Sequence, residues 1–130
     1  MNLKILLFFH AIITLAAGIV LVIAPTIIPG TVNIQLLPNQ YLLCYFLGAA
    51  EFGIAYLSFF SRTINDQSAL RIIIISFIVF HAASGILELY AFSEGTSNKI
   101  IGNIILRIII VILFSYYGIY KNRVQKMSTP

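Results

Sequence analysis

Apolar and polar positions along this chain come in long blocks rather than in alternation. Four stretches are nearly unbroken runs of Ile, Leu, Val, Phe and Ala, at 5–24, 41–61, 72–92 and 100–120. A helix that crosses a bilayer needs about 20 apolar residues, and each run supplies that length. The many Ile and Val residues would favour strands in water. Runs of this length without two-residue alternation are not barrel strands, so length decides for helix. The pattern predicts an all-α integral membrane protein: an up-down bundle of four transmembrane helices at about 3–24, 41–61, 71–92 and 99–121, forming one domain over 1–130.

The connections are 25–40, 62–71 and 93–99. The first holds Pro25, Pro29, Gly30 and Pro38 and predicts a turn-rich loop. Its Ile27, Ile28, Leu36 and Leu37 are expected at the interface or over the end of the bundle. The last is short, so the third and fourth spans should be antiparallel neighbours. Lys4 before an apolar run, with Ala16-Ala17-Gly18 later, has some look of a signal peptide. The run is span-length, so the expectation is a retained helix.

Composition agrees with the pattern. Of 130 residues 60% are hydrophobic and 9% charged, against about 25% charged in a typical soluble domain. That excludes a water-soluble globule and excludes disorder. The net charge of +4 is no nucleic-acid signal, because the basic residues stand singly at segment ends. Lys4, Arg62, Arg71, Lys121, Arg123 and Lys126 fall on one side and only Lys99 on the other. The positive-inside rule then places both termini in the cytoplasm. Tyr41, Tyr90, Tyr116, Tyr117 and Tyr120 near the span ends suit an aromatic belt.

Candidate chemistry comes from the few polar residues inside the spans. Glu51 lies in the second, His81 and Glu88 in the third, Arg107 in the fourth and His10 in the first. A charge at membrane depth costs several kcal/mol, so such residues face the bundle interior and have partners. Helical spacing groups Cys44, Gly48, Glu51, Ala55, Ser58 and Arg62 on one seam of the second span. Phe77, His81, Ser84 and Glu88 share a seam, as do Asn103, Arg107, Phe114 and Gly118, and His10, Thr14, Ala17 and Leu21. Four such stripes facing one another predict a polar core inside an apolar coat.

Depth refines the grouping. At 1.5 Å per residue Glu51 and His81 lie near the midplane, about 15 and 14 Å from span ends. Arg107 and Glu88 lie about 10 and 6 Å from the outer end, close enough to pair. Glu51, His81 and Arg107 are expected to cluster at the centre. His10, about 8 Å from the cytoplasmic end, is expected to stand apart. The bland alternatives are a structural Glu88–Arg107 pair, a protonated Glu51 hydrogen-bonded across helices, and a small packing role for Cys44. Thr14…Gly18 and Ala49…Gly53 read as close-packing pairs. No metal site is expected: one Cys, two His and two in-span Glu are spread over too much depth for zinc, and a bis-histidine haem fits poorly.

The stretch Leu47-Gly48-Ala49-Ala50-Glu51-Phe52-Gly53-Ile54-Ala55 resembles the characteristic segment of the small four-helix bacterial membrane proteins grouped as DUF4345, themselves similar in appearance to DoxX-like proteins. The Ala24-Pro25 exit from the first span and the Glu94-Gly95 turn after the third look similar too. Ser84-Gly85-Ile86 stands where that family's third helix commonly has a Gly-Arg pair. The resemblance implies the four-helix architecture and a bacterial inner membrane. DoxX-like proteins are associated with quinone-linked complexes, which implies a quinone as a possible redox ligand; no cofactor is otherwise predicted.

Three functions fit these residues. The first is binding of a lipophilic small molecule (quinone, isoprenoid or sterol-like) in an intrabundle cavity. Glu51 and His81 would exchange a proton with it, while Arg107, Glu88, Ser84 and Asn103 hold its polar head. The second is a non-enzymatic accessory or assembly subunit whose polar seams bind partner helices. The third is an oligomeric small transporter or channel, disfavoured by the apolar cytoplasmic half of the third span.

Overall fold

The computed structural model describes residues 2–121 and is all-helical among them. Arg123 and Lys126, used above for orientation, lie outside the described residues. Helix α1 covers Leu3–Ile23, and its first turn is closed by Asn2, whose side chain accepts from the Ile5 N–H at 3.0 Å. A short α2, Ile27–Thr31, follows inside the Pro-rich loop. Helix α3 covers Tyr41–Ser61 after a 3₁₀ turn at Pro38–Gln40. Helix α4 covers Gln67–Ser93. Helix α5 covers Ile101–Phe114 and runs on through a π-helical turn at Ser115–Tyr120. Four helical segments (α1, α3, α4 and α5 with its extensions) are long and apolar enough to cross a membrane.

Helix α4 starts about one turn earlier than the apolar run suggests. Asp66 caps it, accepting from Ser68 N at 2.8 Å and Ala69 N at 3.3 Å. Hydropathy marks the apolar stretch, whereas the helix begins where the backbone donors find an acceptor. The α4–α5 hairpin turns at Gly95, whose φ of +97° is the left-handed region glycine tolerates best. At this hairpin end Asn33 donates to Ser97 at 3.1 Å and accepts from Lys99 at 3.2 Å, tying the first loop to the last.

The bundle is two helix pairs, α1 with α3 and α4 with α5; contact between the pairs is much sparser. Small residues explain the first pair. Gly18 and Gly48 meet at the crossing, where a β-carbon on Gly48 would lie 2.8 Å from Val22 Cγ2 and 3.1 Å from the Gly18 carbonyl oxygen. We therefore expect Gly48→Ala to destabilise the protein by about 1–3 kcal/mol, because the Gly18 backbone cannot withdraw. Denaturant unfolding in detergent measures it, and an unchanged midpoint would show that the pair separates freely. The Ala49…Gly53 pair is not packed as the sequence suggested. Both residues are exposed, and no atom lies within 4 Å of a Gly53 β-carbon. Their helical phase is opposite to the buried seam of Cys44, Gly48, Glu51, Ala55 and Ser58.

Burial is uneven along the bundle axis. At the end carrying Asn2, Arg62 and Lys121, here the terminal end, Leu6, Leu7, Leu70, Ile74, Phe77 and Phe114 form a close core. Gly118 belongs to it, since a β-carbon there would meet Ile74 Cγ2 at 2.5 Å. Beyond His81, towards the hairpin, no residue of α4 is buried. The outer surface is Ile, Leu, Val, Phe and Tyr, and Tyr90, Tyr116 and Tyr120 are exposed near helix ends.

Candidate functional site

The polar groups gather immediately above the apolar core. His10 comes from α1, Ser58 and Glu51 from α3, His81 and Glu88 from α4, and Arg107 from α5. His10 Nδ1 lies 2.6 Å from Ser58 Oγ, and His10 Nε2 lies 2.8 Å from His81 Nε2. His81 Nδ1 lies 3.4 Å from an Arg107 terminal nitrogen, and Arg107 Nε donates to Glu88 Oε1 at 2.7 Å. One hydrogen-bonded chain thus runs Ser58–His10–His81–Arg107–Glu88 and joins all four long helices.

The donors assign the tautomers along this chain. A guanidinium only donates, so His81 Nδ1 must accept. The His81 proton is then on Nε2 and is donated to His10 Nε2. His10 in turn carries its proton on Nδ1 and donates to Ser58 Oγ. Both imidazoles are neutral in this arrangement, and every proton points away from Arg107.

The walls are aromatic. Phe77 and Phe114 pack on His10 with ring centroids 5.1 and 5.0 Å away, and Phe80 packs on His81 at 5.2 Å. Phe77 and Phe114 are at most 2% exposed and close the pair off from the terminal end. The Arg107 guanidinium lies 6.0 Å over the Phe80 ring. Thr14, one turn beyond His10, returns its hydroxyl to the His10 carbonyl at 2.9 Å, so it braces the helix and leaves the imidazole free for the chain.

His10 therefore does not stand apart. Counting from span ends put it about 6 Å from His81 along the axis, an offset that two imidazole side chains bridge. The signal in the sequence was the phase of His10, Thr14 and Leu21, all three buried with it on one face. Glu88 and Arg107 pair as the hairpin depth suggested. Glu51 is buried but joins no hydrogen bond among the described residues. Ser84 is half-buried and bonds to nothing described. Asn103 is exposed one turn from Arg107 and faces outward, away from the chain. Cys44 is buried and donates to the Pro25 carbonyl at 3.3 Å, a packing role.

Two carboxyl groups thus keep unmet hydrogen-bonding capacity on the hairpin side of the relay. One is Glu51. The other is Glu88, whose Oε2 is inaccessible and has no partner among the described residues. Such groups are costly where water is scarce. Among the described residues no three His, Cys, Asp or Glu converge as a metal would require, and the imidazole nitrogens already bond each other directly. Compared with protein families, with curated proteins and with solved structures the chain shows no match, so the chemistry of this site rests on its own geometry.

Proposed function

We propose that this chain is an integral membrane protein, of the DUF4345 type it resembles, with both termini cytoplasmic in a bacterial inner membrane, and that it binds a lipophilic molecule with a polar head beside the relay. Glu51 carries the proposal: a buried residue whose carboxyl has no hydrogen-bond partner among the described residues, on the buried seam of α3. A structural carboxyl at that depth would have a donor on a neighbouring helix. The ligand's hydroxyl or carbonyl supplies the missing partner. Arg107 and Glu88 face the same region, and His81 accepts or returns a proton through Arg107's side of the ring. A quinone, an isoprenoid alcohol or a sterol-like molecule has the required form, an apolar body and one hydrogen-bonding end. Entry is from the bilayer on the hairpin side, because the core around Phe77 and Phe114 closes the other end. That same core opposes a through-going channel.

Native mass spectrometry of the detergent-purified protein, followed by solvent extraction, tests this. The wild type should carry a co-purifying lipophile that Glu51→Gln loses by about tenfold, the cost of one hydrogen bond to a charged or strongly polar partner. Both proteins should unfold at similar denaturant concentration. Equal ligand occupancy in the variant would remove Glu51 from the site.

An accessory-subunit role is favoured by a separate observation. Arg107 and Glu88 keep 24% and 18% of their side-chain surface exposed, and Asn103 is exposed beside them. A partner helix laid on α5 would cover all three. A stoichiometric second protein in the same spectra, with no lipophile, would establish this role instead.

A further inference from the structure

A pair of cations, Lys4 and Arg62, lies at the terminal end and shares no hydrogen bond with the relay among the described residues. Asn2, Lys4, Ile5, Phe8 and Arg62 line a shallow cleft of about 290 Å³. Two of the five are cationic and none is acidic. Arg62 is held in place: its Nε donates to the Phe59 carbonyl at 2.8 Å, and its guanidinium lies 4.0 Å over the Phe59 ring and 5.0 Å over Phe8. A guanidinium fixed by its Nε and by two rings keeps its terminal N–H groups for another acceptor. Neither Lys4 nor Arg62 has a carboxylate partner among the described residues; Asp66, the acidic residue of this end, is used in capping α4. The first turn of α1 adds the positive end of a helix dipole.

The surface below the cleft is different. Ile5, Phe8 and Ile12 follow one another at helical spacing on α1, all exposed, with Phe59 of α3 exposed alongside. The Phe8 and Phe59 rings are 6.4 Å apart. A cationic cleft therefore opens directly onto an apolar strip that runs along the bundle. Free phosphate uses only the first of these features. A phospholipid uses both.

We propose that this cleft is a binding site for one anionic phospholipid, its phosphate between Lys4 and Arg62 and an acyl chain along Phe8 and Ile12. The site rests on the membrane placement proposed above and is independent of the ligand proposed at Glu51. Two cations near a lipid headgroup are expected to give a preference for anionic over zwitterionic lipid of about thirtyfold.

The test uses the full chain in nanodiscs of phosphatidylcholine and phosphatidylglycerol in equal parts, ejected into a native mass spectrometer. The wild type should retain one phosphatidylglycerol in strong preference to phosphatidylcholine. Lys4→Gln with Arg62→Gln should abolish that preference, and exposed Lys4→Gln alone should reduce it by about fivefold with no effect on folding. Arg62→Lys, which keeps the charge and loses the planar stack, should fall between. Arg71→Gln and Lys121→Gln, cationic residues of the same end outside the cleft, should leave it intact. Equal loss from these two would show general surface attraction and overturn the site. Competition by millimolar inorganic phosphate would show an anion site without use for the acyl chain, and would overturn the lipid. Failure to enter nanodiscs at all would instead refute the membrane placement. Entry without a retained phosphatidylglycerol refutes this proposal alone.

Discussion

Arg107→Met is expected to cost about 3–5 kcal/mol of stability, the largest single loss at the site. Among the described residues the guanidinium is the one cation on Glu88, which it meets at 2.7 Å. Glu88 Oε2 already lacks a partner among the described residues, so without Arg107 the whole carboxylate is left uncompensated. His81 Nδ1 loses its donor in the same step. Removing both charges has a different outcome. Arg107→Met with Glu88→Leu should return to within about 1–2 kcal/mol of the wild type, since an apolar pair of similar volume avoids the desolvation penalty. Denaturant unfolding in detergent measures both. A single variant that costs less than about 1 kcal/mol would mean the pair is solvated and contributes as little as a surface salt bridge. The double variant also separates structure from function. It should fold, and it should fail to hold the lipophile. If it binds as the wild type does, the pair only fixes the register of the hairpin.

That pair shows what the sequence makes legible. Glu88 and Arg107 are close in depth because the hairpin between α4 and α5 is short, and depth along antiparallel neighbours follows from residue counts alone. The seam of Cys44, Gly48, Glu51, Ala55 and Ser58 was likewise readable, because five small or polar residues at one helical phase leave little choice of buried face. His10 was not readable in the same way. Its partner lies on α4, and no count along α1 gives the tilt and offset of a helix 71 residues away. The exposure of Asn103 has a related cause. The residue shares a phase with Arg107, but α5 has a single fully covered position within Ile101–Phe114, Phe114, so phase alone does not bury a residue at the sparsely packed hairpin end. Gly53 sits two residues beyond Glu51 and faces outward, a placement that its spacing from Ala49 does not disclose.

Replacing His81 with leucine should have the second large effect, and mainly on proton exchange. Stability should fall by about 1–3 kcal/mol, because His10 Nε2 is left as a buried acceptor without a donor. His10→Leu should cost about the same, and the double variant less than the sum, since both changes remove one shared bond. A double-mutant cycle with no coupling would mean the imidazoles do not bond. The tautomers give a sharper test by nitrogen-15 NMR of labelled histidine. His81 should show a bare Nδ1 and a protonated Nε2, and His10 the reverse. Arg107→Met should release this pattern at His81, because nothing else in the chain requires Nδ1 to accept. The direction of the relay has a chemical consequence. Arginine does not give up a proton at any ordinary pH, so Arg107 cannot feed the chain it orients. A proton must reach His81 Nδ1 from another acid, with the Arg107 contact broken while it does so. His81 then passes its Nε2 proton to His10 Nε2, and the His10 imidazolium so formed keeps its Nδ1–H bonded to Ser58 Oγ. The acid on the hairpin side without a hydrogen-bond partner among the described residues is Glu51, joined, on the function proposed above, by the ligand it would bind. On the function proposed above, Arg107 would act as a latch, holding His81 as an acceptor at rest and yielding when a proton donor arrives. Glu51→Gln and His81→Leu should therefore abolish ligand-coupled proton uptake alike, whereas Arg107→Met with Glu88→Leu should leave the imidazole chain able to exchange protons but without a fixed direction.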